Sequence, residues 1–193
     1  KNQGVERVVL ARETPIEIIQ QACQMGVEIE VFTYGAICIS YSGQCMMSAS
    51  VKNRSANRGM CAQCCRLKYT REDGSHFKEG DYILSPKDLN VIDQLPSLLD
   101  AGVSSLKIEG RMKRSEYVYL VIKTFREAID AYYANKTYHV SSERLKQLEE
   151  MFYRGFSNGH LFHDDVTKRM SQYRPNHQGI AIGKVLAYRN GRV

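Results

Sequence analysis

Read for apolar and polar positions, the chain opens with the run VERVVLA at residues 5–11, which predicts a buried strand. Thr14-Pro15-Ile16-Glu17 then reads as a helix start, because Thr can cap, Pro suits the first turn and Glu takes the capping-box position. The helical pattern runs to about Met25 and stops at Gly26, with Cys23 on its core side. Val27 to Tyr34 predicts a second strand. Strand, helix and strand in such quick succession make a βαβ unit, which implies parallel pairing through a right-handed crossover.

Residues 35–66 show little periodicity and read as a long functional loop. Arg66–Arg71 and Phe77–Leu84 flank Asp73-Gly74, a turn signal that predicts a β-hairpin. Ser85-Pro86-Lys87-Asp88 is expected to open another helical segment, which continues through Leu95–Ala101 and ends at Gly102. Ser104–Glu109 predicts a further parallel strand. Ser115 starts a long amphipathic helix to about Asn135, with Val118, Val121, Ile122, Phe125, Ala128, Ile129 and Tyr132 on one face. A shorter helix begins at Ser141 or Ser142 and ends near Phe152. Residues 153–178 are polar and read as an extension or linker, and Gly179–Tyr188 alternates like a strand. The alternation of strands and helices predicts an α/β fold, either with an open sheet or as a piece of a barrel.

Composition adds the chemistry. Five of the six cysteines fall in the run Cys38-x6-Cys45-x15-Cys61-x2-Cys64-Cys65. Thiols gathered so tightly suit a soft metal, either zinc or an iron–sulfur cluster. Only Cys61-x2-Cys64 has the form of a zinc knuckle, and spacing leaves Cys64 and Cys65 equivalent as ligands. Nothing at the N-terminus resembles a signal peptide, which disfavours disulfides and points to the cytoplasm. No stretch approaches the roughly 18–20 apolar residues that span a bilayer, so no membrane partner is expected. With 27 Lys+Arg against 21 Asp+Glu, the net charge of +6 suggests an anionic partner. Lys52, Arg54, Arg58, Arg66, Lys68 and Arg71 surround the cysteines, and Lys107, Arg111, Lys113 and Arg114 form a second basic group. The sequence holds no HExxH helix and no GxSxG elbow, and its five histidines lie outside the cysteine block.

Three blocks carry a family resemblance. The segment EVFTYGAICISYSGQCMMS from Glu30 to Ser48 resembles the signature of the collagenase-like peptidase family U32. RSANRGMCAQCCR from Arg54 to Arg66 and KIEGRMK from Lys107 to Lys113 resemble two further family blocks. Position 64, commonly Pro in the family, is Cys here. The resemblance implies the C-terminal half of a (β/α)8-like, TIM-type barrel with a Cys-rich loop and hairpin, followed by the start of a small β domain. Its expected boundaries are 1–138 for the partial barrel, 139–177 for a helical extension and linker, and 178–193 for the beginning of the β domain. A partner subunit or a missing N-terminal half would complete the barrel.

The same resemblance implies a [4Fe–4S] cluster on Cys38, Cys45, Cys61 and Cys65, with Cys64 as a substitute ligand and zinc as the alternative metal. The branch it is similar to hydroxylates tRNA without oxygen, forming 5-hydroxyuridine at the wobble position with prephenate as co-substrate. Arg54, Arg58, Arg111 and Lys113 would then bind phosphate or a small carboxylate, since guanidinium forks suit both. Glu30 and Glu109 would handle protons or the base edge, and Phe32 or Tyr34 could stack a flipped base. Two other functions remain open: a collagenase-like peptidase, and a zinc-stapled RNA-binding module without catalysis.

Overall fold

The computed structural model describes residues 4–135, 138–163, 165–179 and 183–190. Its elements in chain order are β1 (Arg7–Val9), α1 (Ile16–Cys23), β2 (Glu28–Gly35), α2 (Met47–Lys52), β3 (Asp88–Asn90), α3 (Leu95–Asp100), β4 (Ser105–Glu109), α4 (Ser115–Asn135), α5 (Ser142–Met151) and β5 (Phe156–Ser157). The result is a mixed α/β structure around one sheet.

β2 organises the sheet. It pairs in parallel with β1 and with β4, as the βαβ pattern predicts. Glu30 is paired to both Val9 and Ser105, so β1 and β4 must lie on opposite edges. Tyr34 and Gly35 are likewise paired to both β3 and β4, so β3 follows β1 along the shared edge. β3 runs antiparallel to β2, and β5 lies parallel to β3.

A one-residue bulge shapes what each face carries. Phe32 pairs with Lys107 and Tyr34 with Ile108, leaving Thr33 as the extra residue. Glu30, Phe32, Ser105, Lys107 and Glu109 therefore share one face. The bulge moves Tyr34 to the opposite face, with Val31, Leu106 and Ile108. There its ring packs against Tyr117 at 5.9 Å, Phe125 at 6.0 Å and Phe156 at 5.8 Å.

Two apolar clusters hold the fold. One gathers Ile16 and Ile19 of α1 with Ile29, Val31, Leu89, Val91, Leu98 and Leu161. The other gathers Tyr34, Ile92 and Leu95 with Tyr117, Val121, Phe125 and Ala128 of α4 and Leu148 of α5. Each fully buried leucine or valine contributes roughly 1.5–3 kcal/mol. Ser141 caps α5 by accepting a hydrogen bond from the Arg144 amide, as its position in sequence predicts.

Several sequence expectations are corrected. β1 is exposed along its length, because it is an edge strand flanked on one side only. The Asp73-Gly74 turn forms, with the Arg71 and Tyr69 amides donating to Ser75 and Asp81, but no strands flank it among the described residues. The segment opened by Ser85-Pro86 is not helical: Asp88–Asn90 is a strand, and helix begins only at Leu95. Its apolar residues Leu89 and Val91 fill the first cluster, and its buried Asp88 is neutralised from a distance by Arg154. Residues 153–178, expected as an extension or linker, supply β5, the core residue Leu161 and a buried Arg154. Within the strand expected at 179–188, residues 180–182 lie outside the described residues, and 183–188 carry no strand.

Candidate functional site

β1, β2 and β4 are parallel, so their carboxyl ends face one way, and ligands of α/β sheets bind at such ends. β1 leads to Glu13, β2 to the cysteine loop and β4 to Arg111 and Lys113. β3 is antiparallel, so its first residue, Asp88, falls beyond Gly35 at that same end. Gly35 is required there: its φ is 105°, and a Cβ would lie 2.4 Å from the Glu109 carbonyl oxygen.

Cys38, Cys45, Cys61, Cys64 and Cys65 line one cavity of about 180 Å³, with Ile39, Met46 and Met47 among its walls. All five are free thiols, and Cys64 is buried. Burial pushes the Cys65 thiol up, and the neighbouring Cys38, Cys61 and Cys45 push it further while Arg66 opposes them. Among the described residues, no three Cys, His, Asp or Glu side chains are gathered as around one metal ion.

The loop is held from several directions. The Ser42 amide and hydroxyl both donate to the Glu13 carboxylate, each at 2.9 Å. Burial alone would raise Glu13, but those two bonds outweigh it and hold the carboxyl below its usual range. The buried Ser48 of α2 accepts from the Ala62 amide at 3.1 Å, and Asn57 accepts from the Cys45 amide at 3.1 Å. Gln63 adopts a left-handed conformation, φ 54°, and its amide donates to Cys61 Sγ at 3.3 Å. The Tyr69 hydroxyl donates to the Cys64 carbonyl at 3.0 Å.

The predicted polar residues divide into separate groups. Glu30 accepts from Lys107 at 2.9 Å and from Ser105 at 2.8 Å, with Arg7 at 3.7 Å. The Lys107 and Ser105 bonds hold its carboxyl below the usual range despite burial, which favours its ionised form. Phe32 lies beside this pair, with Lys107 Nζ 5.6 Å from its ring centroid. Glu109 accepts from the Arg111 amide at 3.2 Å. Arg54, Arg58 and Arg111 are exposed. Lys113 instead turns inward, over the rings of Tyr117 and Phe152. Burial, reinforced by Arg154 and Arg66 against the opposing Asp88, pushes it down to about 8.

Sequence reasoning missed Asp88 and Arg154, whose carboxylate and guanidinium form a bidentate pair, with Nε donating to Oδ2 at 3.2 Å. Their side chains are 4% and 7% exposed, so the pair is fully desolvated. It joins positions 66 residues apart, and no local spacing signals it. Arg66 also joins this neighbourhood, donating to Ser85 Oγ at 2.8 Å and to the Pro86 carbonyl at 3.0 Å. Four of the five histidines are occupied elsewhere: His76 with Asp81, His163 with Glu17, His160 with Arg169, and His177 accepting from the Tyr153 amide.

This is an α/β protein whose polar chemistry is gathered at the carboxyl ends of its parallel strands. Within that class the chain belongs to peptidase family U32, whose family model matches residues 1–171. It is 41% identical over 160 residues to a tRNA hydroxylation protein P1 of Bacillus subtilis, covering 78% of this chain and 38% of that protein. It is 42% identical over 168 residues to a collagenase of Porphyromonas gingivalis, covering 84% and 46%. It is 44% identical over 131 residues to a 23S rRNA 5-hydroxycytidine synthase of Escherichia coli, covering 66% and 20%. The chain thus spans less than half the length of each of these relatives. No solved structure matches. No helix among the described residues is long and apolar enough to cross a membrane.

Proposed function

We propose that this chain is the cysteine-bearing part of an iron–sulfur RNA hydroxylase. The reaction would be oxygen-independent formation of 5-hydroxyuridine at the tRNA wobble position, with prephenate as hydroxyl source, in the cytoplasm. The observation that carries the reading is the single cavity that all five loop cysteines line. Relatives named for tRNA hydroxylation and rRNA hydroxycytidine synthesis supply the substrate class. The exposed flank of α4, with Ile122 and Tyr133 lining a cavity of about 710 Å³ along β4, supports a barrel completed by a further half or a partner subunit.

Cys38, Cys45, Cys61 and Cys65 would hold a [4Fe–4S] cluster, with Cys64 as the buried fifth thiol. A cavity of about 180 Å³ suits a multi-atom cluster, whereas one zinc with thiolates at about 2.3 Å would draw its ligands tighter. When bound, the cluster would supply one-electron chemistry. The protein's own contribution would be positional. The Gln63 amide tunes the Cys61 sulfur, and Glu13 fixes the loop against β1. Arg54, Arg58 and Arg111 offer exposed cations to RNA phosphates. Glu109 would accept from the base edge, and Phe32 would offer a ring to stack on. Glu30 would keep Lys107 oriented over that ring.

Anaerobic purification with iron, sulfide and zinc analysis tests the reading. About four iron and four sulfide per chain, with absorption near 400 nm that Cys38→Ala abolishes, is the expected result. One zinc and no iron would refute it in favour of a zinc-stapled RNA-binding module. The collagenase relative keeps a second reading open, that of a peptidase. No His–Cys contact is seen among the four histidines with assigned partners, so gelatin digestion by the chain is expected to be absent.

A further inference from the structure

Lys113, Arg154 and Arg66 surround a single bonded carboxylate. Arg154 Cζ lies 5.0 Å from the centroid of the Phe152 ring, and Lys113 Nζ rests on the same ring. Arg66 reaches Pro86, two residues before Asp88. Asp88 is engaged by Arg154 through both oxygens. Among the described residues, Lys113 and Arg66 make no ion pair. Glu149 and Glu109 are felt electrostatically by Tyr34 and Tyr117, but neither bonds to any of the three cations. One buried and two partly buried cations on one carboxylate are costly unless further negative charge arrives.

An independent observation points the same way. Tyr34 is 1% exposed, and its hydroxyl has no hydrogen-bond partner. Its ring lies 5.9 Å from that of Tyr117, over which Lys113 sits, and its electrostatic neighbours are Tyr117, Asp88 and Glu149, so it shares the Asp88 carboxylate with the cations. A buried hydroxyl without a partner is rare, and a bound acceptor would satisfy it.

We infer that Lys113, Arg154 and Arg66, with the Tyr34 hydroxyl, form a binding site for a small dianionic carboxylate beside the cysteine cavity. The inference deepens the hydroxylase reading, on which its biological role rests, by placing the carboxylate co-substrate. Guanidinium forks match carboxylates, and the faces of Phe152 and Tyr117 provide walls for a ring or unsaturated carbon frame. The burial of Arg154 and Tyr34 favours a free small molecule over an RNA phosphate, which carries a sugar on either side. Lys113 thus acquires companions other than those the sequence suggested.

Calorimetric titration of the metal-free chain tests the site, using prephenate, malonate, acetate, inorganic phosphate and a short uridine oligonucleotide. Prephenate should bind saturably, and acetate at least tenfold more weakly. Lys113→Met and Tyr34→Phe should each weaken prephenate by roughly tenfold or more, the scale of a lost hydrogen bond to a charged group. Neither change strips a buried partner, and Tyr34→Phe should not lower Tm without ligand. Failure of wild type to bind any carboxylate at millimolar concentration would overturn the site, as would both variants binding like wild type. Oligonucleotide binding lost in the same two variants, with prephenate unaffected, would reassign the cations to RNA and overturn it too. Iron analysis separates the two proposals. Carboxylate binding without iron uptake keeps this site and removes the hydroxylase reading, and the converse result does the reverse.

Discussion

Replacing Arg154 by Met isolates the energetic role of the buried pair. The change keeps the apolar stem but leaves Asp88 without its counter-ion at a position only 4% exposed. Stranding one member of a buried ion pair costs about 3–5 kcal/mol, because the remaining charge keeps its desolvation penalty. The stacking of the guanidinium on Phe152 is lost as well, about 1–2 kcal/mol when desolvated. The pair also pins β5 to β3, alongside the Asp88 amide bond to the Gly155 carbonyl at 2.9 Å. At about 2–4 °C per kcal/mol for a chain of this size, Tm should fall by roughly 10 °C or more. Urea unfolding followed by circular dichroism gives the free energy. Adding Asp88→Asn should return part of it, with a coupling of about 2 kcal/mol or more in the double-mutant cycle. A single-variant loss under about 1 kcal/mol, the scale of an exposed pair, would refute the assignment of this pair as a desolvated clamp.

Gly35→Ala should destabilise by about 3 kcal/mol or more in the same assay, since it combines a positive φ with a clash against the Glu109 carbonyl at the centre of the sheet. Lys113 carries a pKa depressed to about 8 against roughly 10.4 in the unfolded chain. Between those values the unfolded state binds more protons, so its contribution makes the fold more stable as pH rises from about 8 towards 10, and Lys113→Met should flatten that rise in pH-dependent denaturation. Glu30 has the same sense in the acid range, its ion pair stabilising above the unfolded carboxyl value and weakening as pH falls through its lowered one. Lys107→Met should therefore reduce the acid dependence of stability. Cys65→Ala should abolish iron uptake while Cys64→Ala retains most of it, as read by iron analysis of each variant.

The elements that sequence revealed were those whose partners are local or periodic. α4 shows its buried stripe of Val121, Phe125, Ala128 and Tyr132, and β2 and β4 show apolar residues alternating with polar ones, as in Ile29 and Val31 or Leu106 and Ile108. The cysteine site was legible because five thiols are rare at any spacing. The stretch from Ser85 to Gln94 misled because Ser-Pro opens helices, whereas here Asp88 answers Arg154 and Leu89 pairs with Gly35. The inward turn of Lys113 was equally hidden, since it depends on Phe152 from beyond the next helix. Exposure of β1 depends on which strands flank it, and its Val-rich run carries no mark of that.

The pairing of β3 with the end of β2 has an evolutionary consequence. It brings residues 35 and 89 face to face, so the whole cysteine excursion leaves and re-enters the sheet through one narrow gate. Closing such a loop becomes harder only logarithmically with length, about 0.6 kcal/mol for each doubling. Insertions, deletions and changes of cysteine spacing within it can therefore accumulate while the strands beneath keep their register. The scaffold and the cysteine loop are free to diverge at different speeds.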